Sequence, residues 1–133
     1  MEIELLHDDD MALCVRAIAT LALDQNDDVR SSLAWMIRNR IEMLRASRRD
    51  DAVETACNAV LGEAQAKNVH PPFHHEISQA EWLQIKAMNE RVWQGKIGDP
   101  TQGASACHRH NETPRWARQR TPTALLGEYL FFR

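Results

Sequence analysis

Most features that would place this sequence quickly are missing from it. No segment approaches the roughly 20 apolar residues of a membrane-spanning helix. Neither charge sign is in excess: 16 basic and 19 acidic residues leave a net charge of −3, so there is no electrostatic footprint for nucleic acid. There is no cysteine framework, because Cys14, Cys57 and Cys107 are odd in number and contain no Cys-x-x-Cys pair. That spacing argues against a disulfide scaffold and against the common zinc fingers. Cys14 and Cys57 sit among apolar neighbours and are expected to pack as small hydrophobes. No internal repeat, low-complexity tract or compositional break divides the chain, so residues 1–133 read as one domain with its own core. The opening MEIELLHDDD is acidic and lacks the apolar centre of a secretory signal. As it stands the chain is expected in the cytoplasm.

What is present is helical periodicity. Met11, Cys14, Val15, Ile18, Leu21 and Ala22 recur at helical spacing behind Asp8, Asp9 and Asp10, which offer N-caps. This predicts a helix ending near Asp24 to Asn26. Val29, Leu33, Met36, Ile37, Ile41 and Leu44 predict a second, from about Asp27 to about Ser47. A third opens at Asp50 or Asp51 and turns Val53, Ala56, Cys57, Val60 and Leu61 inward. KNVHPPFHHEI, residues 67–77, is a loop, since two prolines exclude a continuing helix. Ser78 and Glu81 have capping-box spacing and open a fourth helix, stopped by Gly95 or Gly98. Arg38, Arg40, Arg45, Arg48 and Arg49 interleave with Glu42, Asp50 and Asp51, the pattern of a solvated helix face. Trp35 lies off the main stripe of its helix, to pack on a second neighbour or line a cleft.

After the fourth helix comes GDPTQGASACHRHNETPRWARQR, residues 98–120, read as one long loop. The tail ALLGEYLFFR reads as a short strand or extended segment. The fold class is therefore mainly α: about four helices, a long loop and a short extended or β C-terminal segment. Cys107, His108 and His110, with His70, His74 and His75, raise a metal reading, but their spacing matches no common motif and no metal is expected. No cofactor is expected either.

Several segments, in order, resemble the SleB-type cell wall hydrolases. They are LAWMIRNRI at 33–41 with its Asn39-Arg40 ending, TACNAV at 55–60, DPTQGA at 99–104, PRWAR at 114–118 and LLGEYLFFR at 125–133. The resemblance implies a lysozyme-like, mainly helical fold and a peptidoglycan glycan strand as substrate. It also locates departures. Counting back without gaps from Asn39-Arg40 puts the family's catalytic Glu at Leu21, and the histidine of the family's tail falls on Tyr129.

Cutting a glycosidic bond needs a proton donor, usually a carboxylic acid with a raised pKa against apolar walls. Leucine at position 21 cannot donate one. Asp24 lies one turn on, at the water-exposed helix end, and Asp99 reads as a turn residue before Pro100. Glu76, beside His74 and His75, is the replacement candidate, weighed against a solvated residue ahead of the Ser78 cap. The loop can also hold sugar without cutting it. Trp116 offers a stacking face or, equally, a lid on the core, and Thr101, Gln102 and Asn111 offer hydrogen bonds. Tyr129 joins them as the substitute for the family's tail histidine. The leading expectation is thus a catalytically impaired relative that binds peptidoglycan or a related glycan. The alternatives are an active hydrolase using Glu76 and a cytoplasmic module that binds a protein partner. No nucleic acid or membrane partner is expected.

Overall fold

The computed structural model describes residues 6–23, 25–67 and 69–133. Asp24 and the side chain of His74 lie outside the described residues. Helix α1 (Asp8–Ala22) keeps Asp8, Asp9 and Asp10 in its first turn, where carboxylates offset the positive end of the helix dipole. They do not cap it: His7 precedes the helix and its side chain makes no cap bond. The far end of α1 is closed by the buried Arg30, whose guanidinium donates to the carbonyls of Ala22 at 3.0 Å and Leu23 at 2.8 Å. One cation thereby satisfies two carbonyls that have no intrahelical partner.

Helix α2 (Asp27–Ala46) is capped by Asn26, which accepts the Val29 N–H at 3.0 Å. Helix α3 (Ala52–Ala66) follows Asp51, whose carboxylate makes no cap and pairs with Arg49 at 3.1 Å instead. Helix α4 (Gln79–Trp93) starts as its sequence signals, with Ser78 accepting the Glu81 N–H at 3.1 Å. It stops at Gly95, φ +72°, with Gly95 N–H on the Val92 carbonyl and Lys96 N–H on that of Arg91. This paired bonding needs a left-handed residue after the helix, which glycine adopts without steric cost.

Helix α1 packs against each of the other three helices. Cys14, Val15, Ile18 and Ala22 are fully buried there. The C-terminal tail forms a strand, one of the two forms expected, within a three-stranded antiparallel sheet on α2. The strands are β1 (Ala106–Arg109), β2 (Ala124–Leu126) and β3 (Tyr129–Phe132), with β3 in the centre. Cys107 faces Phe131 across β1–β3, and Leu126 faces Tyr129 across β2–β3. The fold is mainly α, with four helices and this small sheet. The 98–120 segment departs from the expected loop, because it contains β1 and one 3-10 turn at Arg115–Ala117. ACHR has little strand propensity of its own; pairing with β3 makes it a strand.

The arginine cluster is also not simply a solvated face. Arg38 lies between the rings of Trp35 at 4.7 Å and Trp93 at 5.1 Å and donates to the Val92 carbonyl, while Arg45 lies 5.3 Å over Trp93. Trp35 donates its indole N–H to the Ile97 carbonyl at 3.0 Å, so it fastens α2 to the end of α4. Guanidinium groups stack on indole faces with little loss of hydration, which lets charged residues serve as packing.

The thiols fit the expected hydrophobic role. Cys14 and Cys57 Sγ atoms sit 3.8 Å apart with no exposed surface. The neighbouring Cys14 thiol and then burial push Cys57 upward, and burial pushes Cys107 up to about 12. The native chain is therefore expected to react very slowly with a chromogenic aryl disulfide at about pH 8, although an ordinary thiol has a pKa of ~8.5. All three cysteines should react at once in denaturant. A fast-reacting thiol in the folded protein would contradict this packing.

Candidate functional site

Three helices and the sheet converge on one cavity of about 320 Å³. The last turns of α1 bring Thr20 and Leu21. One face of α2 brings Met36 and Arg40, four residues apart and therefore stacked along the helix. The C-terminal half of α3 brings Val60, Glu63 and Ala64, and Lys67 follows at the helix's C-cap. The sheet closes the remaining side with Cys107, His108 and Arg109 of β1 and Tyr129 of β3, and Asn111 follows β1. The lining combines buried apolar side chains such as Met36, Val60 and Ala64 with the exposed Glu63, Lys67 and Asn111, a mixture common in small-molecule sites.

The charges around this cavity are not equally occupied. Lys67 pairs with Glu112 at 2.5 Å. Burial alone would raise the Glu112 carboxyl, but Lys67 and the Arg109 N–H outweigh it and hold the group below the usual carboxylate range. Arg109 pairs with Glu128 at 2.7 Å, and a second nitrogen reaches the Leu21 carbonyl at 3.4 Å. Arg40 donates Nε–H to the Ser105 carbonyl at 2.8 Å, and among the described residues it has no carboxylate partner. His108 is buried, with Nδ1 2.7 Å from the Arg109 carbonyl. A carbonyl only accepts, so Nδ1 carries the proton. Among the described residues no group of three or more His, Cys, Asp or Glu side chains is placed to hold a metal.

Of the residues expected to bind a ligand, the cavity brings together Asn111 and Tyr129. Tyr129 is already engaged: it is 2 % exposed and its hydroxyl donates to the Leu21 carbonyl. Thr101 does not reach the cavity. It is wholly buried, its hydroxyl donates to Asp99 at 2.6 Å, and its carbonyl accepts from Thr123 at 2.7 Å. Gln102 is exposed outside the cavity at φ 58°, and its carbonyl accepts from Arg133. Trp116 also lies outside the lining. It packs edge-on to Phe132 at 5.2 Å and to His108 at 5.7 Å, with Arg120 over its ring.

Glu76 is not in the cavity either. Its carboxylate accepts the Phe73 N–H at 3.1 Å and lies 3.4 Å from His70. The Phe73 hydrogen bond, assisted by His70, holds it below the usual carboxylate range, the reverse of what a proton donor needs. Asp99, read as a turn residue, gathers the 99–104 loop. Its carboxylate accepts from Thr101 N–H at 2.8 Å, Thr101 Oγ1, Gly103 N–H at 2.9 Å and Asn39 Nδ2 at 2.9 Å. The DPTQGA element is thus an internal strut, tied to α2 through Asn39.

Arg40, Lys67, Glu63 and Glu112 escaped sequence reasoning. Arg40 had a legible signal, a cation one turn after Met36 on the inward side of α2. Lys67 and Glu112 had none, since their pairing joins segments far apart in the chain.

Among the described residues no helix is long and apolar enough to cross a membrane. The chain matches no model of a known protein family, no curated protein and no solved structure.

Proposed function

We propose that the chain binds a glycan, peptidoglycan or a related polymer, in the cavity between α1, α2, α3 and the sheet, and does not cleave it. The observation that carries this reading is the aliphatic Leu21 on the cavity wall, where of the two carboxyls in the lining Glu112 is ion-paired and held below the usual carboxylate range, and Glu63 is exposed to water instead of sheltered against apolar groups. Retaining and inverting glycosidases both need a protonated carboxylic acid at the leaving oxygen. Such a donor is worth roughly 10²–10⁴-fold in rate. An apolar wall with Asn111 and a guanidinium in the same lining is suited to holding a sugar ring, whose faces are apolar and whose edge is polar. The ordered resemblance to SleB-type hydrolases supplies the substrate class; the replacement of their acid by leucine supplies the loss of cleavage.

The purified chain is expected to co-sediment with isolated peptidoglycan sacculi and to release no soluble muropeptides on prolonged incubation. Glu76→Gln should change neither result, because Glu76 lies away from the cavity. Release of muropeptides would refute the non-cleaving reading. Failure of a folded chain to sediment would refute the glycan and favour a protein partner.

A further inference from the structure

The geometry points to a ligand that carries a carboxylate, with Arg40 as the residue that recognises it. The inference rests on the cavity being the binding site proposed above, but not on the ligand being a glycan.

The cations at the cavity are unequally occupied. Lys67 is neutralised by Glu112 at 2.5 Å and Arg109 by Glu128 at 2.7 Å. Arg40 is different. It is half-buried and spends one N–H on the Ser105 carbonyl. A guanidinium has five N–H donors in a fixed fork. Among the described residues nothing else accepts from Arg40. Removing a charge partly from water without a counter-ion is costly, and an incoming anion recovers that cost. Among the described residues the other charged side chain of the lining without an ion pair is Glu63, which is exposed. The difference in burial makes the cation the stronger electrostatic feature.

The class of anion follows from charge and size. With Lys67 and Arg109 already paired, one uncommitted cation matches a monoanion better than a phosphate dianion. A carboxylate presents two oxygens at the spacing of two guanidinium N–H groups and can accept both. A cavity of about 320 Å³ is at the small end of ligand pockets, which run ~300–1,000 Å³. It suits one sugar-acid residue or a carboxylate on a ring of that size. Met36, Val60 and Leu21 provide an apolar wall for the body of such a ligand.

Calorimetric titration of the full chain tests this with three probes: D-glucuronate, the uncharged methyl ester of glucuronic acid, and cyclohexanecarboxylate. Glucuronate is expected to bind at least about tenfold more tightly than its ester, a bidentate charge-assisted contact being worth that much. It should shift the amide resonances of residues 107–111. Arg40→Gln, which keeps a donor for the Ser105 carbonyl, should erase the difference between acid and ester. Arg40→Lys should retain part of it. If that substitution unfolds the chain, the acid-to-ester comparison on the unaltered protein still decides. Equal binding of acid and ester would overturn the carboxylate anchor while leaving the glycan reading intact. Binding of cyclohexanecarboxylate with no binding of either sugar would uphold the anchor and remove the glycan. No binding of any carboxylate, or shifts confined to a different surface, would overturn the inference.

Discussion

Replacing Asp99 by alanine is expected to destabilise the fold by about 2–4 kcal/mol, the range for stripping a shared acceptor from several partly buried donors. The carboxylate holds the Thr101 and Gly103 amides, the Thr101 hydroxyl and the Asn39 side chain together. Asn39 keeps its bond to the Ala104 carbonyl at 2.9 Å, and Gly103 can turn to water, so the loss stays below the sum of four bonds. Asp99→Asn should cost less, about 1–2 kcal/mol, since it preserves one acceptor while setting an amide against the Asn39 amide. Urea denaturation followed by far-ultraviolet circular dichroism measures both.

The same site predicts a pH dependence. Burial raises the Asp99 carboxyl, but the bonds from Thr101, Asn39 and Gly103 outweigh it and leave the group below its ordinary value. A carboxyl whose folded pKa is depressed contributes stability above the unfolded value of about 3.9 and loses it as pH falls through the folded pKa. Glu112, held down by Lys67, acts in the same direction. Stability of the unaltered chain should therefore fall as pH drops below about 4, and the fall should be shallower for Asp99→Ala. An Asp99→Ala chain as stable as its parent, with the same acid profile, would show that the carboxylate does not hold the loop.

The second large effect is expected at Gly127. It is the first residue of the two-residue turn between β2 (Ala124–Leu126) and β3 (Tyr129–Phe132), with φ +59°. A hairpin loop with positive φ at its first position and not at its second matches a type II′ turn, whose first central residue is glycine for steric reasons. A Cβ here would lie 2.5 Å from Cγ2 of Val29, a buried side chain in the first turn of α2. Gly127→Ala thus meets two independent penalties. The left-handed backbone costs a non-glycine residue roughly 1–2 kcal/mol, and overpacking against a β-branched side chain adds about 1–3 kcal/mol. A total loss of about 2–5 kcal/mol is expected in urea denaturation. In a double-mutant cycle, Val29→Ala should relieve the overpacking share and leave the backbone share. Additive effects of the two substitutions would mean that the hairpin does not seat against α2 at this point.

Gly127 is marked in the sequence only as part of a resemblance, whereas Asp99 also reads as a turn residue before Pro100. DPTQGA reads as a ligand-facing loop through the resemblance and because Thr101 and Gln102 are residue types that hydrogen-bond sugar. They are equally the types that build an Asp-centred turn. In the folded chain the turn takes Thr101 inward and leaves Gln102 away from the cavity. Trp116 was open between a stacking platform and a lid. It lies outside the cavity, packed edge-on to two rings of the sheet layer. Leu21, chosen by counting residues along the chain, does line the cavity wall.

The sequence by itself determined the helices. Their inward stripes, the Ser78 cap and the Gly95 stop depend on neighbours within a turn or two, and that information is local. Tertiary structure decided the rest. Strand β1 exists because β3, more than 20 residues later, pairs with it, and strand pairing depends on partners more than on intrinsic preference. The cavity is assembled from three helices and the sheet. Whether a charged residue such as Arg40 or Lys67 finds a counter-ion there depends on distances through space that no spacing along the chain encodes.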